Sequence, residues 1–357
     1  MKIILSRKGF DGTYGGYPSP IFPDGRMLSM PIPDSVFVKI DINDNLRSFV
    51  EARRGRCDLD KKGNLHIFSR VSKEDGRLLL ACYSDDDSQK TLHKLIKDSN
   101  KYCRYEDLFP DMKFSGDKFD KVFSDLYNNN ARTRLDSFCH LDPDIYDISK
   151  HENQKRICAF GQSNGVLTNL VKTHGVEESG LFLFYGTFQN VHKVNEKWAF
   201  DKNDTPKHII YGYLEIKRLI EGSNFLNEAY LISQHPHFLY QDERNGIYIA
   251  TDNLSTNKEL KGSDYFNYDE SLVLTKDRLS KSKWDLCPKV FKDKNVIISC
   301  HTNPNNYPWK EDTNKDIYFQ SYSRFQEFVI EDNRDNPIVE SWARNLITRN
   351  IQKKDNK

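Results

Sequence analysis

Short apolar runs separated by long polar connections dominate the pattern of hydrophobic and polar positions along the chain. Apolar runs of about four to eight residues between turn residues are typical of buried β-strands. We predict strands at ten positions, which in chain order are Met1–Leu5, Val36–Ile40, Leu65–Phe68, Arg77–Tyr83, Arg156–Phe160, Leu181–Tyr185, His208–Ile216, Gly246–Ala250, Ser271–Leu274 and Val296–Ser299. Arg26–Ile32 is predicted to be a short edge strand, because Pro31 and Pro33 end it.

Helical periodicity is less common and its segments are short. Apolar residues recur on one face in five segments, which are Asn43–Arg54, Ser88–Asp98, Phe119–Tyr127, Ser163–His174 and Ile338–Ile347. Gly175 is placed to end the fourth of these as a left-handed C-terminal cap. Gly212, inside a strand, predicts a bulge or a sharp bend. The polar residues from Arg349 to Lys357 are expected to fray.

These elements predict a mixed α+β fold whose second half is a β-barrel. The charged stretch Lys150–Arg156 is the best candidate for a boundary. We therefore predict three regions: an N-terminal α+β region at 1–155, a barrel region at 156–335, and a C-terminal helix with a polar tail at 336–357.

Composition narrows the class of protein. The chain has 357 residues and a net charge of +1, which excludes a global basic field for nucleic acid, although a local basic patch remains possible. Its seven cysteines form no C-x-x-C pair, which favours reduced thiols and disfavours structural zinc. No apolar run reaches the ~20 residues that span a bilayer, and no signal-peptide pattern opens the chain. We expect a cytoplasmic protein without a membrane partner.

The opening loop is the first candidate for chemistry. After the first strand it presents Arg7, Lys8 and Asp11, followed by Gly15–Gly16. Glycine-rich loops expose backbone N–H groups that can cradle phosphate. The loop is neither a Walker A nor a Rossmann motif, and a structural loop held by proline and glycine explains its composition equally well.

Histidines and carboxylates form the second candidate. His140, Asp142 and Asp144 are spaced as H-x-D-x-D, a pattern that suits acid–base work or a hard metal, or else a turn around a proline with solvated carboxylates. His235 and His237 resemble a metal pair. The proline between them favours a turn, so packing or backbone capping is the preferred role and we assign no metal ligands.

A late aromatic stretch is the third candidate. Arg324 and Gln326 share one face of a predicted strand and can contact a base or a phosphate, with aromatic residues beside them. A half-buried strand with a salt bridge is the alternative. Trp198, Trp284 and Trp309 are candidates for base stacking, although core anchoring is the commoner role of tryptophan.

Several motifs together resemble one bacterial and phage family. They are the opening M-K-I-I-L-S-R-K-G-F-D with G-G-x-P-S-P-I and P-D-G-R, then H-L-D-P-D at 140–144, F-G-Q at 160–162, L-F-L-F-Y-G at 181–186, I-Y-G-Y-L at 210–214, H-P-H at 235–237 and Q-E-F-V at 326–329. The chain resembles the nucleotide modification associated domain, the third of its numbered set, over roughly residues 1 to 330. It departs from the family pattern at Ser179–Gly180 and at Phe325, which affects local turn geometry.

The resemblance implies an association with hypermodified DNA bases and their enzymes, in phage or restriction-like settings, without a defined reaction. Residues 157–220 are also similar to the core of PUA-like (EVE and ASCH) barrels, which often bind modified bases or RNA. On this basis we expect the barrel region to be PUA-like, which is a likeness of fold only.

Three functional hypotheses follow. In the first, the protein modifies nucleotides or DNA bases: Arg7 or Lys8 binds phosphate, Asp11, His140 and Asp142 act as acid or base, and Arg324 with Gln326 holds a base or sugar-phosphate. In the second, it is a non-catalytic reader of modified bases. In the third, it is a metal-dependent nuclease built on four residues, namely Asp11, Asp24, His140 and Asp142. The partner in each case is a nucleotide or DNA. No cofactor or oligomeric state is assigned.

Overall fold

The computed structural model describes most of the second half of the chain and parts of the first. The described residues are 1–10, 18–32, 35–39, 57–59, 64–68, 140–145, 157–195, 197–225, 227–232, 235–239, 243–302, 307–322 and 327–355. Five predicted features lie outside these ranges: the helices at 43–54, 88–98 and 119–127, the strand at 77–83, and most of the boundary at 150–156. The division into three regions stays a prediction.

Sixteen strands lie within the described residues. In chain order they are β1 (Ile3–Arg7), β2 (Ser19–Ile21), β3 (Ser35–Lys39), β4 (Cys57–Leu59), β5 (Asn64–Phe68), β6 (Ala159–Ser163), β7 (Leu181–Val194), β8 (Lys197–Phe200), β9 (Lys207–Glu221), β10 (Asn245–Ala250), β11 (Ser263–Tyr265), β12 (Lys283–Trp284), β13 (Val296–Ile298), β14 (Trp309–Glu311), β15 (Ile317–Gln320) and β16 (Glu327–Asp332).

Ten of these strands form the main sheet. Its order is β13-β16-β1-β7-β9-β10-β6, with β2 and β8 paired to β7 and β11 paired to β9. The first strand of the chain therefore lies inside the sheet, parallel to β7 and antiparallel to β16. Two three-stranded sheets accompany it, in the orders β12-β15-β14 and β3-β5-β4.

Strands β7 and β9 form the centre of the hydrophobic core. Leu181, Phe182, Leu183 and Phe184 are all buried, because both faces of β7 are covered, and this explains the unbroken apolar run in the sequence. The register between β7 and β9 shifts next to Gly212, so the predicted bulge is present.

The described helices are few and mostly short. They are α1 (Asn164–Thr168), α2 (Ala229–Ile232), α3 (Pro288–Phe291) and α4 (Ile338–Asp355), with a π-helical turn at Asn169–Thr173 directly after α1. The helix predicted at Ser163–His174 is thus divided into an α and a π part. Gly175 has a φ of +54°, in the left-handed region that its capping role requires. None of these helices combines the length and apolar character needed to cross a membrane.

The C-terminal helix differs from its prediction. The frayed tail expected from Arg349 is wrong, since α4 continues to Asp355. Asn350 and Ile351 are buried in the last turns. The charged residues that suggested fraying include Lys354, which pairs with Asp264 at 2.8 Å. Buried apolar residues, Ile347 and Ile351, lie between the charged residues of this tail and anchor it in the core.

Two strand predictions are also wrong. In the segment 271–274, Ser271 and Leu272 belong to a 3₁₀ turn, Glu270–Leu272, which the Asp269 side chain caps by accepting a hydrogen bond from the Ser271 N–H. Only an isolated bridge follows, between Val273 and Ile209 of β9. The segment 26–32 forms only isolated bridges, at Arg26 and Met27.

The described strands form an open, curled sheet and no closed barrel, so the fold is mixed α+β without the predicted closure. The sheet curls far enough for the Gln162 side chain in β6 to contact Glu327 in β16. However, the outer edge of β6 is paired with another segment: Asp144 and Ala159 exchange backbone hydrogen bonds of 2.8 and 3.1 Å. Part of the edge that a closed barrel would have to pair is therefore already occupied.

Candidate functional site

Residues 140–145, which pair with the edge of β6, also carry two residues of the candidate site, His140 and Asp142. Beyond the Asp144–Ala159 pair, the Gly161 N–H donates a 2.7 Å hydrogen bond to Asp142 Oδ1. The Asp142–Pro143 peptide bond is cis. The backbone N–H of His140 donates to the carbonyl oxygen of Ile32 at 2.7 Å. The Ile32 contact ties the opening region of the chain to the H-x-D motif.

Two further histidines meet this carboxylate. His235 and His237 flank Pro236, which begins a short 3₁₀ turn at Pro236–Leu239. His235 Nε2 lies 3.4 Å from Asp142 Oδ1, and His237 Nε2 lies 3.5 Å from Asp142 Oδ2. The turn predicted around Pro236 is present, and it directs both imidazoles to one carboxylate. We name this group, His140, Asp142, His235 and His237, the histidine–aspartate cluster.

The hydrogen bonds of Asn245 determine which nitrogen of His237 carries a proton. The Asn245 side chain donates to the His237 carbonyl oxygen at 2.8 Å, and its Oδ1 accepts from the Gly246 N–H at 3.0 Å. His237 Nδ1 lies 2.7 Å from that same Oδ1, so Nδ1 must be the donor. In the neutral ring, Nε2 then presents a lone pair towards Asp142.

His235 has the opposite arrangement. The backbone N–H of His237 donates to His235 Nδ1 at 3.2 Å, so the proton of a neutral ring lies on Nε2, which faces Asp142. Burial lowers the pKa of His235, which favours this neutral form. His235 therefore turns an N–H towards Asp142, whereas a neutral His237 turns a lone pair towards it.

Asp142 remains ionised in this setting. Burial by itself raises the pKa of its carboxyl, but hydrogen bonds and charge from His235 and His237 outweigh burial and hold that pKa well below its usual range. Since Nδ1 of His237 donates to Asn245, its hydrogen bond to Asp142 exists only when the ring carries protons on both nitrogens. Its side chain is only 6% exposed. A buried carboxylate surrounded by histidines is a common feature of functional sites.

Gly161 makes room for the cluster. A Cβ on this residue would lie 2.2 Å from two atoms of the His237 ring, so a larger residue has no space there. The residues on either side, Phe160 and Gln162, point to the opposite face of β6, since side chains alternate along a strand. The glycine thus lets an imidazole pack flat against the backbone of the strand.

His140 completes the group on its more accessible side. Its ring centroid lies 5.0 Å from that of His237, and its side chain is half-buried. One ligand atom each from His140, Asp142 and His237 lie within 4.8 Å of one another. In the described part of the chain this trio can hold a metal ion, and His140 is its route to solvent.

A second polar group lies on the other face of β6. Lys8 Nζ pairs with Glu327 Oε1 at 3.1 Å and lies 4.5 Å from the centre of the Phe160 ring. Ser6 and Gln162 donate hydrogen bonds to the same carboxylate oxygen. Because Lys8 is paired and largely buried, its predicted phosphate contact requires it to leave Glu327. Its role in substrate binding stays a prediction.

The remaining predicted residues are dispersed. Arg7 lies on the other face of β1, close enough to His208 for its charge to help lower the pKa of that histidine. Asp24 is exposed and paired with Arg26 at 2.7 Å, and it is not part of the metal-capable trio. Asp11, Arg324 and Gln326 lie outside the described residues.

Several residues of the site carried no signal by their spacing. The partnership of His237 with Asp142 and with Asn245, and the clearance provided by Gly161, join distant parts of the chain. The proline of H-P-H predicted the turn, and the two histidines resembled a metal pair, but nothing in the sequence indicated Asp142 as their partner. Glu327 lies inside the Q-E-F-V motif, and nothing in the sequence indicated Lys8 as its partner.

Comparison with known proteins agrees with the motifs. No curated protein and no solved structure matches the chain. A family model, described as nucleotide modification associated domain 3, matches residues 2–66 and 96–331. The matched residues include the histidine–aspartate cluster and the Lys8–Glu327 pair and exclude α4. The chain therefore belongs to the nucleotide modification associated domain 3 family.

Proposed function

We propose that the protein modifies nucleotides or the bases of DNA, and that the histidine–aspartate cluster is its chemical centre. The observation that carries the proposal is the convergence of three imidazoles on one buried, ionised carboxylate within the family-matched part of the chain. Burying titratable groups costs stability, and such clusters are found most often at functional sites. The finer expectations, a cytoplasmic bacterial or phage protein acting in defence on modified bases, belong to the same proposal.

The geometry divides the roles within the cluster. His140 is the half-exposed member, so it is the group best placed to exchange a proton with a bound nucleotide. Asp142 and His237 lie behind it and adjust its charge. Asp11 would be the second acid or base. Arg7, Lys8, Arg324 and Gln326 would hold the phosphate and base.

Nucleoside mass spectrometry tests this function. DNA and the free nucleotide pool are analysed from cells that express the wild type, Asp142→Asn, His140→Gln or His192→Ala. His192 is an exposed histidine of β7 outside the cluster, so its variant is the matched control. We expect a new or altered nucleoside with the wild type and the control. It should fall at least roughly 100-fold with the cluster variants, as is typical for lost acid–base groups.

An unchanged profile in both DNA and free nucleotides, for all four proteins, would overturn the proposal. A product that persists in Asp142→Asn and His140→Gln would remove the cluster as its centre. Circular dichroism of each purified variant separates a loss of chemistry from a loss of folding.

The alternative function, a reader of modified bases on a PUA-like barrel, has less support. Base stacking needs accessible rings. The rings of Phe160, Phe182 and Tyr248 on the main sheet pack against one another and are buried. Trp284 and Trp309 are buried as well, so in the described part of the chain these rings serve as core. Binding of modified over plain DNA in fluorescence anisotropy, together with an unchanged nucleoside profile, would favour the reader.

A further inference from the structure

We infer that His140, Asp142 and His237 form a mononuclear site for a divalent first-row transition metal. The inference deepens the proposed function by naming the cofactor class of the same cluster. Metal binding can nevertheless be measured without any nucleotide, so the two stand or fall separately.

The separation of the two buried ligand atoms is the first observation. His237 Nε2 and Asp142 Oδ2 lie 3.5 Å apart, which is longer than a good charge-assisted hydrogen bond of about 2.7–2.9 Å. Two donors at about 2.0–2.2 Å from one tetrahedral metal ion are roughly 3.4 Å apart. The spacing of this pair therefore fits two ligands of one metal ion.

The proton positions are the second observation. Because His237 Nδ1 donates to Asn245 Oδ1, the ring presents Nε2 towards Asp142 Oδ2, 3.5 Å away. A histidine that ligates metal through one nitrogen and donates from the other to an amide or carboxylate oxygen is the usual arrangement at metal sites.

The third observation is that the two carboxylate oxygens of Asp142 have different neighbours. The Gly161 N–H donates to Oδ1, and His235 Nε2 lies 3.4 Å from the same oxygen, which leaves Oδ2 directed towards His237. Gly161 thus orients the carboxylate, and His235 is not part of the metal-capable trio. The carboxylate is held as a one-oxygen ligand.

The donor set indicates the class of metal. Two imidazole nitrogens and one carboxylate oxygen suit Zn²⁺ or Fe²⁺, whereas Mg²⁺ and Ca²⁺ prefer oxygen ligands. Three protein ligands leave at least one coordination position for water or substrate, as in catalytic and not structural sites. Of the two histidine ligands, His140 is the more exposed.

Cobalt titration of the full-length protein tests the inference. The protein is stripped with EDTA and titrated with Co²⁺, whose visible absorption reports coordination geometry, and Zn²⁺ or Fe²⁺ is then added in competition. We expect one ion per chain in the wild type and in His192→Ala. We expect at least roughly 100-fold weaker binding in His237→Gln and Asp142→Asn, since losing even a supporting partner costs about 10–100-fold.

No Co²⁺ absorption in the wild type would overturn the inference. Equal affinity in wild type and His237→Gln would overturn it too. If both variants fail to fold, proton NMR of the Co²⁺-loaded wild type decides: two strongly shifted, exchangeable imidazole N–H signals are expected, and their absence contradicts the site. If the wild type binds no metal but still alters nucleosides, only the metal site is rejected. If it binds metal but alters no nucleoside, only the proposed function is rejected.

Discussion

At the residue scale, Gly161 gives the clearest prediction for a single substitution. The His237 ring occupies the space that a side chain here would need, since a Cβ at this position would lie only 2.2 Å from that ring. Gly161→Ala should therefore displace His237, lower the free energy of unfolding by about 1–3 kcal/mol as overpacking does, and abolish Co²⁺ binding. Urea unfolding and cobalt absorption measure the two effects.

Gly165 supplies the matched control. It lies in α1, and a Cβ there would meet nothing within 4 Å. Gly165→Ala should leave metal binding unchanged and raise stability by up to about 1 kcal/mol, because alanine loses less entropy in a helix. Equal metal binding in Gly161→Ala and wild type would show that the ring does not need this space.

Two buried histidines outside the cluster predict a loss of stability in mild acid. Burial, with the charges of Lys281 and Arg7, lowers the pKa of His208 to about 3, and burial lowers the pKa of His301 to about 4. The unfolded chain takes up protons near pH 6.5, so the stability from each neutral histidine is complete above that pH. It is lost as the pH falls towards the folded-state value. Between about pH 6 and pH 4.5 each should contribute a slope of roughly 1.4 kcal/mol per pH unit.

His208→Asn tests this slope. His208 Nδ1 accepts a 3.0 Å hydrogen bond from Trp284 Nε1, and an asparagine offers an acceptor near the same place. Urea unfolding of wild type and variant across this pH range should differ in slope by the equivalent of one proton. Identical slopes would mean that His208 does not titrate differently in the two states.

At the element scale, α4 shows how a charged segment is held in place. Its buried residues follow helical spacing from Val339 and Ala343 to Ile347 and Ile351, so one apolar stripe continues to the last turn. Ile351→Ala should lower the free energy of unfolding by about 2–5 kcal/mol, the usual cost of emptying a buried isoleucine site. Denaturant unfolding measures the change.

An exposed position of the same helix gives the comparison. Asn345 faces solvent, and Asn345→Ala should change stability by no more than about 0.5 kcal/mol. If Ile351→Ala were equally mild, the last turns of α4 would be frayed as the polar composition predicted.

Strands could be predicted from the sequence where their hydrophobic pattern matches their burial in the fold. The strands β7, β9 and β10 lie inside the main sheet, so their apolar runs are continuous and unambiguous. The predicted strand at 271–274 failed because a side-chain cap from Asp269 stabilised a 3₁₀ turn instead. Such a cap competes with strand pairing and leaves no trace in the period of the pattern.

At the scale of the whole molecule, the first strand joins distant parts of the chain. Ile3, Ile4 and Leu5 are at most 1% exposed, and β1 is hydrogen-bonded to both β7 and β16. A fragment of residues 156–357 would lose this strand and expose two edges. We expect it to lack a cooperative thermal transition and to bind a hydrophobic dye, in calorimetry and fluorescence.

Co-expression of residues 1–155 with that fragment is the complementary experiment. It should restore a cooperative transition, because β1 can pair again with both neighbours. A fragment of 156–357 that melts cooperatively on its own would instead support an independent second domain.

The sequence alone determined the mixed α+β class, most strand positions of the main sheet, the left-handed cap at Gly175, the bulge at Gly212 and the family. These depend on local periodicity, turn geometry and motifs, which are properties of neighbouring residues. The sequence also indicated His140 and Asp142 as a pair with chemical potential. It did not indicate His237 as their partner.

Only the tertiary structure decided how that pair is completed. The 140–145 segment pairs with the edge of β6 at Ala159, and this pairing places Asp142 against Gly161. The turn at Pro236 then directs His237 into the space above the glycine. Backbone groups at a sheet edge accept many partners, so their choice depends on the packing of the whole chain and not on any local pattern.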